Sequence, residues 1–184
     1  AGGKAVPSTL RLLELARQAR HANTGPELQF LLVNQSHNLC PYLIGVLWVA
    51  ADGVVAQSGV SRVERNAPFV QWLSGVCAHL EGQKSPIKIT SDVLTPEQLE
   101  TWSNHLPASA VWFPVADEGQ LSGGLLLCRQ EAWEEVDIAL LTEWLDIWSH
   151  AWKKLYAPSL QSEFKRVLAQ ISAWIPSLQQ IVSD

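Results

Sequence analysis

Apolar and polar positions along the chain alternate between a helical period and a strand period, and the switches between them predict the order of elements. Residues 8–22 place Leu10, Leu13, Leu15, Ala16 and Ala19 at helical spacing against Arg11, Arg17, Gln18 and Arg20, with Ser8 or Thr9 as the N-cap after Pro7. Thr24-Gly25-Pro26 breaks this helix, and residues 27–39 resume with Leu28, Leu31, Leu32, Gln35 and Leu39 until Pro41. Residues 42–50 are a continuous run of strand formers, Ala51-Asp52-Gly53 is a turn signal, and residues 54–60 pair back as a hairpin. Pro68 opens a helix carrying Phe69, Trp72, Leu73, Val76, Cys77 and Leu80. Pro86-Ile87-Lys88-Ile89-Thr90 alternates as a short strand, and Thr95-Pro96-Glu97-Gln98 reads as a capping box that opens a short helix.

Two runs rich in branched and aromatic residues follow, Ser109-Ala110-Val111-Trp112-Phe113-Pro114-Val115 and Leu121-Ser122-Gly123-Gly124-Leu125-Leu126-Leu127-Cys128, around an acidic turn with Gly119. They predict a second hairpin. Over residues 131–157, Trp133, Val136, Leu140, Leu141, Trp144, Ile147, Trp148, Ala151, Trp152 and Leu155 form one apolar stripe, with acids early and lysines late as the helix dipole favours. At ~1.5 Å per residue this rod is roughly 39 Å long and is expected to project past a small sheet. Pro158 interrupts it, and Leu160, Phe164, Val167, Leu168, Ile171, Trp174 and Ile175 make one more amphipathic segment.

Composition narrows the function. A chain of 184 residues, 47% hydrophobic and 17% charged, suits one domain with terminal extensions. The net charge of −5 leaves no global positive field for nucleic acid, and Arg11, Arg17 and Arg20 or Lys153-Lys154 with Lys165-Arg166 read as solvated helix faces. No apolar run approaches the roughly 20 residues that span a bilayer. Cys40, Cys77 and Cys128 are odd in number and lack a CxxC pair, which argues against a disulfide framework or a zinc site and for a reducing, cytoplasmic setting. Methionine is absent and Ala1 comes first, so the expectation is an excised piece with residues 1–8 as a disordered or cloning-derived start.

The order helix, helix, strand, strand, helix, strand, helix, strand, strand, helix, with Trp112-Phe113-Pro114-Val115, a glycine turn, Gly123-Gly124-Leu125-Leu126-Leu127 and then Trp133-Glu134-Glu135-Val136-Asp137, resembles the GAF domain over roughly residues 9–156. The resemblance implies an α+β fold: a central antiparallel sheet of five to six strands, the N- and C-terminal helices packed on one face and a small-molecule pocket on the other. PAS, the related fold, lacks the paired helices before the first strand. Family members bind cyclic nucleotides, tetrapyrroles, amino acids, 2-oxo acids or haem, and many bind nothing and dimerise. The cyclic-nucleotide residue set is not present as a motif, and no cysteine stands in a tetrapyrrole-attachment context, so no cofactor is specified. Residues 9–157 are then the domain and residues 158–184 a helical extension or linker.

Catalytic chemistry is thinly represented. Gly123-Gly124 lacks the Lys-Ser/Thr pair of a phosphate loop, and Ser36-His37 and Ser149-His150, as neighbours on helices, point about 100° apart. Cys77 and His79, two apart on a helix, face nearly opposite ways and cannot jointly hold a metal. No catalytic or metal residue is assigned, and the chain reads as a non-enzyme. The nine tryptophans are the unusual feature. Trp48, Trp72, Trp102 and Trp112 either fill a core or line a pocket with Ser58, Thr90 and Ser91 as polar anchors, and both readings stand on the sequence alone. Trp144, Trp148 and Trp152, four apart, either cover the sheet and a partner helix of the same chain or form a homodimer interface, for which they are the candidates. The expected function is a small-molecule-sensing or signal-transmitting module of a larger bacterial protein, acting through its terminal helices. The alternative is a ligand-free dimerisation scaffold, including the cytoplasmic part of a membrane-fusion (periplasmic adaptor) transport protein.

Overall fold

A computed structural model describes residues 7–117, 121–156 and 160–175. The expectations for residues 1–6, for the turn at Gly119, for Pro158 and for residues 176–184 fall outside the described residues. Helix α1 (Ser8–His21) starts at Pro7 with no side-chain cap, in place of the expected serine or threonine cap. Helix α2 (Gly25–Phe30) is capped by Thr24, whose Oγ1 accepts the Glu27 N–H at 3.3 Å, with Pro26 in the first turn. The chain then widens into a π-helical segment (Leu31–Gln35) and tightens into a 3₁₀ turn (Ser36–Asn38). Strands β1 (Ile44–Val49) and β2 (Gly53–Gln57) form the first hairpin, with Gly53 at φ +77°, the left-handed region that glycine adopts freely.

Helix α3 (Pro68–Leu80), strand β3 (Ile87–Lys88) and helix α4 (Pro96–His105) follow. Strand β3 is shorter than the alternation from Pro86 to Thr90 implies. The capping box on α4 forms in both directions, Gln98 N–H to Thr95 Oγ1 at 3.2 Å and Thr95 N–H to Gln98 Oε1 at 3.1 Å. Strands β4 (Ser109–Asp117) and β5 (Leu121–Arg129) make the second hairpin, and helices α5 (Glu135–Tyr156) and α6 (Leu160–Trp174) end the described chain.

The sheet has five strands in the order β2-β1-β5-β4-β3, every neighbouring pair antiparallel. This is the α+β arrangement that the resemblance implies. Both faces of its central strands are buried, so alternate residues serve two separate cores. Leu47, Val49, Val111, Phe113, Leu125 and Leu127 share one core with α1, α2, the π segment and α5. Val46, Trp48, Trp112, Leu126 and Cys128 share the other with Leu73, Val76, Cys77 and Leu80 of α3 and Trp102 of α4.

Helix α5 begins at Glu135, four residues later than the apolar stripe suggests, because Arg129 occupies the preceding carbonyls. Its guanidinium donates to Glu131 O at 3.2 Å, Ala132 O at 2.9 Å and Pro41 O at 3.3 Å, pairs with Asp137 Oδ2 at 2.7 Å, and lies 3.8 Å from the centroid of the Trp133 ring. Asp137 in turn accepts the Glu134 N–H at 3.4 Å. The side chain of Arg129 is only 11% exposed, so the planar fork of the guanidinium fixes where β5 ends, where α5 starts and where the chain enters β1. The 22-residue α5 is roughly 33 Å long. It buries Leu141, Trp144, Leu145, Trp148 and Trp152 along its length, so its apolar face is covered to the last turn and is not left projecting.

Removing Arg129 leaves the Asp137 carboxylate and three carbonyls without their donor. Arg129→Ala is expected to lower stability by about 3 kcal/mol, and Arg129→Lys, which keeps the charge without the fork, to recover less than half of that. Urea unfolding curves followed by circular dichroism measure both; a loss below 1 kcal/mol for the alanine variant would contradict this role.

Candidate functional site

The candidate pocket residues are divided between a buried core and the surface. Trp48, Trp102 and Trp112 are buried in the core beneath α3 and α4, where they act as packing. Trp72 is half-buried at the edge of that core, stacked on Phe69 at 5.9 Å and edge-on to Trp102 at 6.3 Å between centroids. Ser58 is half-buried at the end of β2, and its Oγ accepts the Gly45 N–H at 2.8 Å. Thr90 and Ser91 are exposed after β3. Of the two readings, the burial of Trp48, Trp102 and Trp112 matches the filled core, and the reason is steric: indoles are large enough to occupy the space between a sheet and its covering helices.

Gly124 makes this packing possible. It stands opposite Trp48 on one side and Pro114 on the other, with Trp112 on the diagonal. A Cβ at position 124 would be driven into the six-membered ring of Trp112, and one at Gly123 into the carbonyl of Trp48. The two glycines are therefore architectural, removing side chains where the Trp112 indole and the β1 backbone come closest. The rings of Trp48 and Trp112 lie 6.3 Å apart. Trp48 Nε1 donates to Ser74 Oγ at 3.0 Å and Trp102 Nε1 to Pro107 O at 2.8 Å. Trp112, 0% exposed, holds its indole N–H without a hydrogen-bond partner among the described residues.

The candidate interface tryptophans are placed inside the chain's own core as well. Trp144 donates to Ser36 Oγ and Trp148 to Leu28 O, both at 2.7 Å, and Trp152 stacks on Trp148 at 5.2 Å. Helices α1 and α2 cover them, so they tie the N-terminal helices to α5 and leave no face for a second chain. Ser36, the buried polar residue of this core, also donates to Leu32 O and is fully engaged.

All three cysteines are buried and free. Desolvation raises the thiol pKa of Cys40 to about 11 and of Cys128 to about 12, and shifts Cys77 in the same direction. Thiols held protonated and away from solvent are poor nucleophiles and poor soft-metal ligands. His79 lies on the exposed side of α3, away from buried Cys77.

What the body of the fold leaves uncovered is α6. Phe164 (65% exposed), Val167, Leu168, Ile171, Trp174 (86% exposed) and Ile175 share one face, and none of them belongs to either core. The steps from Phe164 to Val167, Ile171 and Trp174 are three, four and three residues, the spacing of a helix seam; Leu168 and Ile175 widen it beyond a two-stranded seam. The opposite side carries the Glu163–Arg166 ion pair at 2.6 Å. The sequence showed this spacing, but the longer tryptophan stripe of α5 drew the interface assignment instead.

No protein-family model matches the sequence, and no curated protein matches it. The fold itself is well represented among solved structures. The GAF domain of a phosphoenolpyruvate-protein phosphotransferase from Coxiella burnetii superposes with a TM-score of 0.59 at 14% identity, over 84% of this chain and 98% of that one. The chromophore-binding domain of an unusual bacteriophytochrome from R. palustris gives 0.61 at 12% identity, over 84% of this chain and 63% of that one. The free methionine-R-sulfoxide reductase of Neisseria meningitidis, solved with its substrate, gives 0.58 at 14% identity over 84% of this chain and 93% of that one. The fold of this chain is GAF-like.

Two outcomes test the filled core. Trp48→Phe breaks a hydrogen bond, whereas Trp112→Phe removes an unpaired buried donor, so the Trp112 variant is expected to cost about 1 kcal/mol less in denaturant unfolding; a larger cost would mean that this N–H has a partner. In native protein none of the three thiols is expected to react with Ellman's reagent over the minutes in which all react after unfolding. A rapidly reacting native thiol would reopen a cysteine-based chemistry.

Proposed function

We propose that this chain, with its GAF-like fold, is a regulatory module that transmits a signal as a homodimer through its terminal helices and binds no small molecule beneath α3 and α4. The exposed apolar face of α6 carries this reading. Four apolar residues at seam spacing, flanked by Leu168 and Ile175, are stable in water only when another apolar surface covers them. A second copy supplies that surface with matching periodicity and no further partner.

The tryptophan-filled core supports the same reading from the other side. A sheet packed solidly on both faces is a rigid platform, and rigid platforms move as bodies. Trp144 and Trp148 fasten the 3₁₀ turn and α2 to α5, so a change in the spacing of the two copies at α6 would be delivered to the body through α5. Such a shift requires an input that favours one dimer geometry over another, since only differential affinity moves such an equilibrium. The relatives of similar fold include a photoreceptor's chromophore-binding domain, in keeping with a regulatory role for this architecture.

Size-exclusion chromatography with light scattering is expected to give the mass of two chains for the full protein. Val167→Glu with Ile171→Glu puts carboxylates into the seam and is expected to weaken association by roughly a hundredfold, about 2.7 kcal/mol, with an unchanged urea midpoint for the body. A monomeric parent protein, or a dimer indifferent to these substitutions, would overturn the proposal.

A further inference from the structure

The π-helical segment buries Leu31, Leu32 and Val33 in the core beneath α1, α2 and α5 and turns Asn34 outward. Beside it, a cleft of about 710 Å³ opens between α2 with the π segment, strand β2, and residues 60–66. It opens at the β2 edge of the sheet, with α2 and the π segment on one side and residues 60–66 on the other, where Val63 also packs against the core beneath α3 and α4. Phe30, Val33, Val55 and Val63 give it an apolar lining, and Arg62 and Arg65 stand on its outer wall.

The two walls are held at a fixed distance by one side chain. Asn34, on the π segment, accepts the Gly59 N–H at 2.9 Å through Oδ1 and donates to Phe30 O at 3.2 Å through Nδ2. Gly59 itself sits at φ +73°, which turns the chain leaving β2 into the opposite wall. A π segment has poorer hydrogen-bond geometry than the α-helix it interrupts, and such segments occur often at functional sites. Here the widened turn presents Val33 and Asn34 to the cleft.

The charges on the wall are unspent. Arg17, Arg129 and Arg166 each pair with a carboxylate, whereas Arg62 and Arg65 have no hydrogen-bond or ion-pair partner among the described residues. Glu64, between them in sequence, leaves the wall with one net positive charge. Two unpaired guanidinium groups beside a trough of mixed polarity form a complementary pair of features: a fork that suits carboxylate or phosphate oxygens, and an apolar strip at Phe30, Val33, Val55 and Val63 for an aliphatic or aromatic body.

We propose that this cleft binds a small amphiphilic anion, its carboxylate or phosphate head at Arg62 and Arg65 and its apolar body against Phe30, Val33, Val55 and Val63. The segment that would sense it also reaches α5, because Leu28 O of α2 accepts the Trp148 indole N–H and Gly25 packs against Tyr156. Occupancy would thus supply the input that the regulatory reading requires. Binding itself stands apart from dimerisation and is read separately from mass.

Amide NMR of the full chain titrated with sodium octanoate tests it, with octyl phosphate, octan-1-ol and inorganic phosphate in parallel. Saturable shifts are expected at Asn34, Gly59, Arg62 and Arg65 with either anion, and the tighter of the two identifies the head group. Octan-1-ol and inorganic phosphate are each expected to bind at least about tenfold more weakly. Arg62→Gln with Arg65→Gln is expected to weaken both anions at least about tenfold and to leave octan-1-ol unchanged. Both side chains are exposed, so the amide spectrum of this variant should otherwise overlay that of the parent. Shifts confined to α6, equal response to octanoate and octan-1-ol, or an unchanged affinity in the double variant would each overturn the proposal.

Discussion

The close approach of the Trp112 indole to the bare backbone of Gly124 is the contact on which the rest of the structure depends. A five-stranded sheet covered on both faces needs two independent cores, and here the α3 and α4 side is filled by aromatic bulk. An indole buries on the order of 150–250 Å², more than a branched aliphatic residue at the same position could. That bulk fits only because β5 offers no side chain where Trp48 and Trp112 close over it. A methyl group at Gly124 would displace Trp112, and with it the packing of α3 and α4.

The opposite face follows a different logic. Its aliphatic strand residues meet α1, α2 and α5, and the helices are registered by polar contacts inside an otherwise apolar layer. Arg129 sets the start of α5, while the indole N–H groups of Trp144 and Trp148 reach Ser36 and Leu28 across the core. The two indole donors are buried with their acceptors and Arg129 is mostly covered, so sliding α5 by one turn would strand several polar groups at once. The N-terminal helices and α5 therefore behave as one unit, and α6, whose Phe164, Val167, Leu168, Ile171 and Trp174 are exposed, stands outside both cores.

Much of this was legible in the sequence, and the misses have identifiable causes. The element order, both hairpins and the capping box at Thr95 and Gln98 follow from local periodicity and turn chemistry, which act over a few residues. The GAF-like fold followed from that order. The π segment has no local signature, because Leu31 to Gln35 read equally well as continued α-helix. The start of α5 was misplaced because Arg129, outside the stripe, recruits the carbonyls of residues 131 and 132. Pocket and filled core use the same residue types, so Trp48, Trp102 and Trp112 could be assigned to a face and not to a void or its filling. The spacing of Trp144, Trp148 and Trp152 fits core and interface alike, and their coverage by α1 and α2 is a tertiary fact that decides between them.

The central claim is that tryptophans fill the sheet face where a ligand would otherwise sit. Hydrogen exchange of the indole N–H groups, followed by NMR in the native protein, tests it most directly, since Trp112 has no hydrogen bond and can be protected only by exclusion of water. Slow exchange is expected for Trp112, Trp48 and Trp102, alongside rapid exchange at Trp174, which is 86% exposed. An indole N–H of Trp112 exchanging as fast as that of Trp174 would show an open face and would contradict the account.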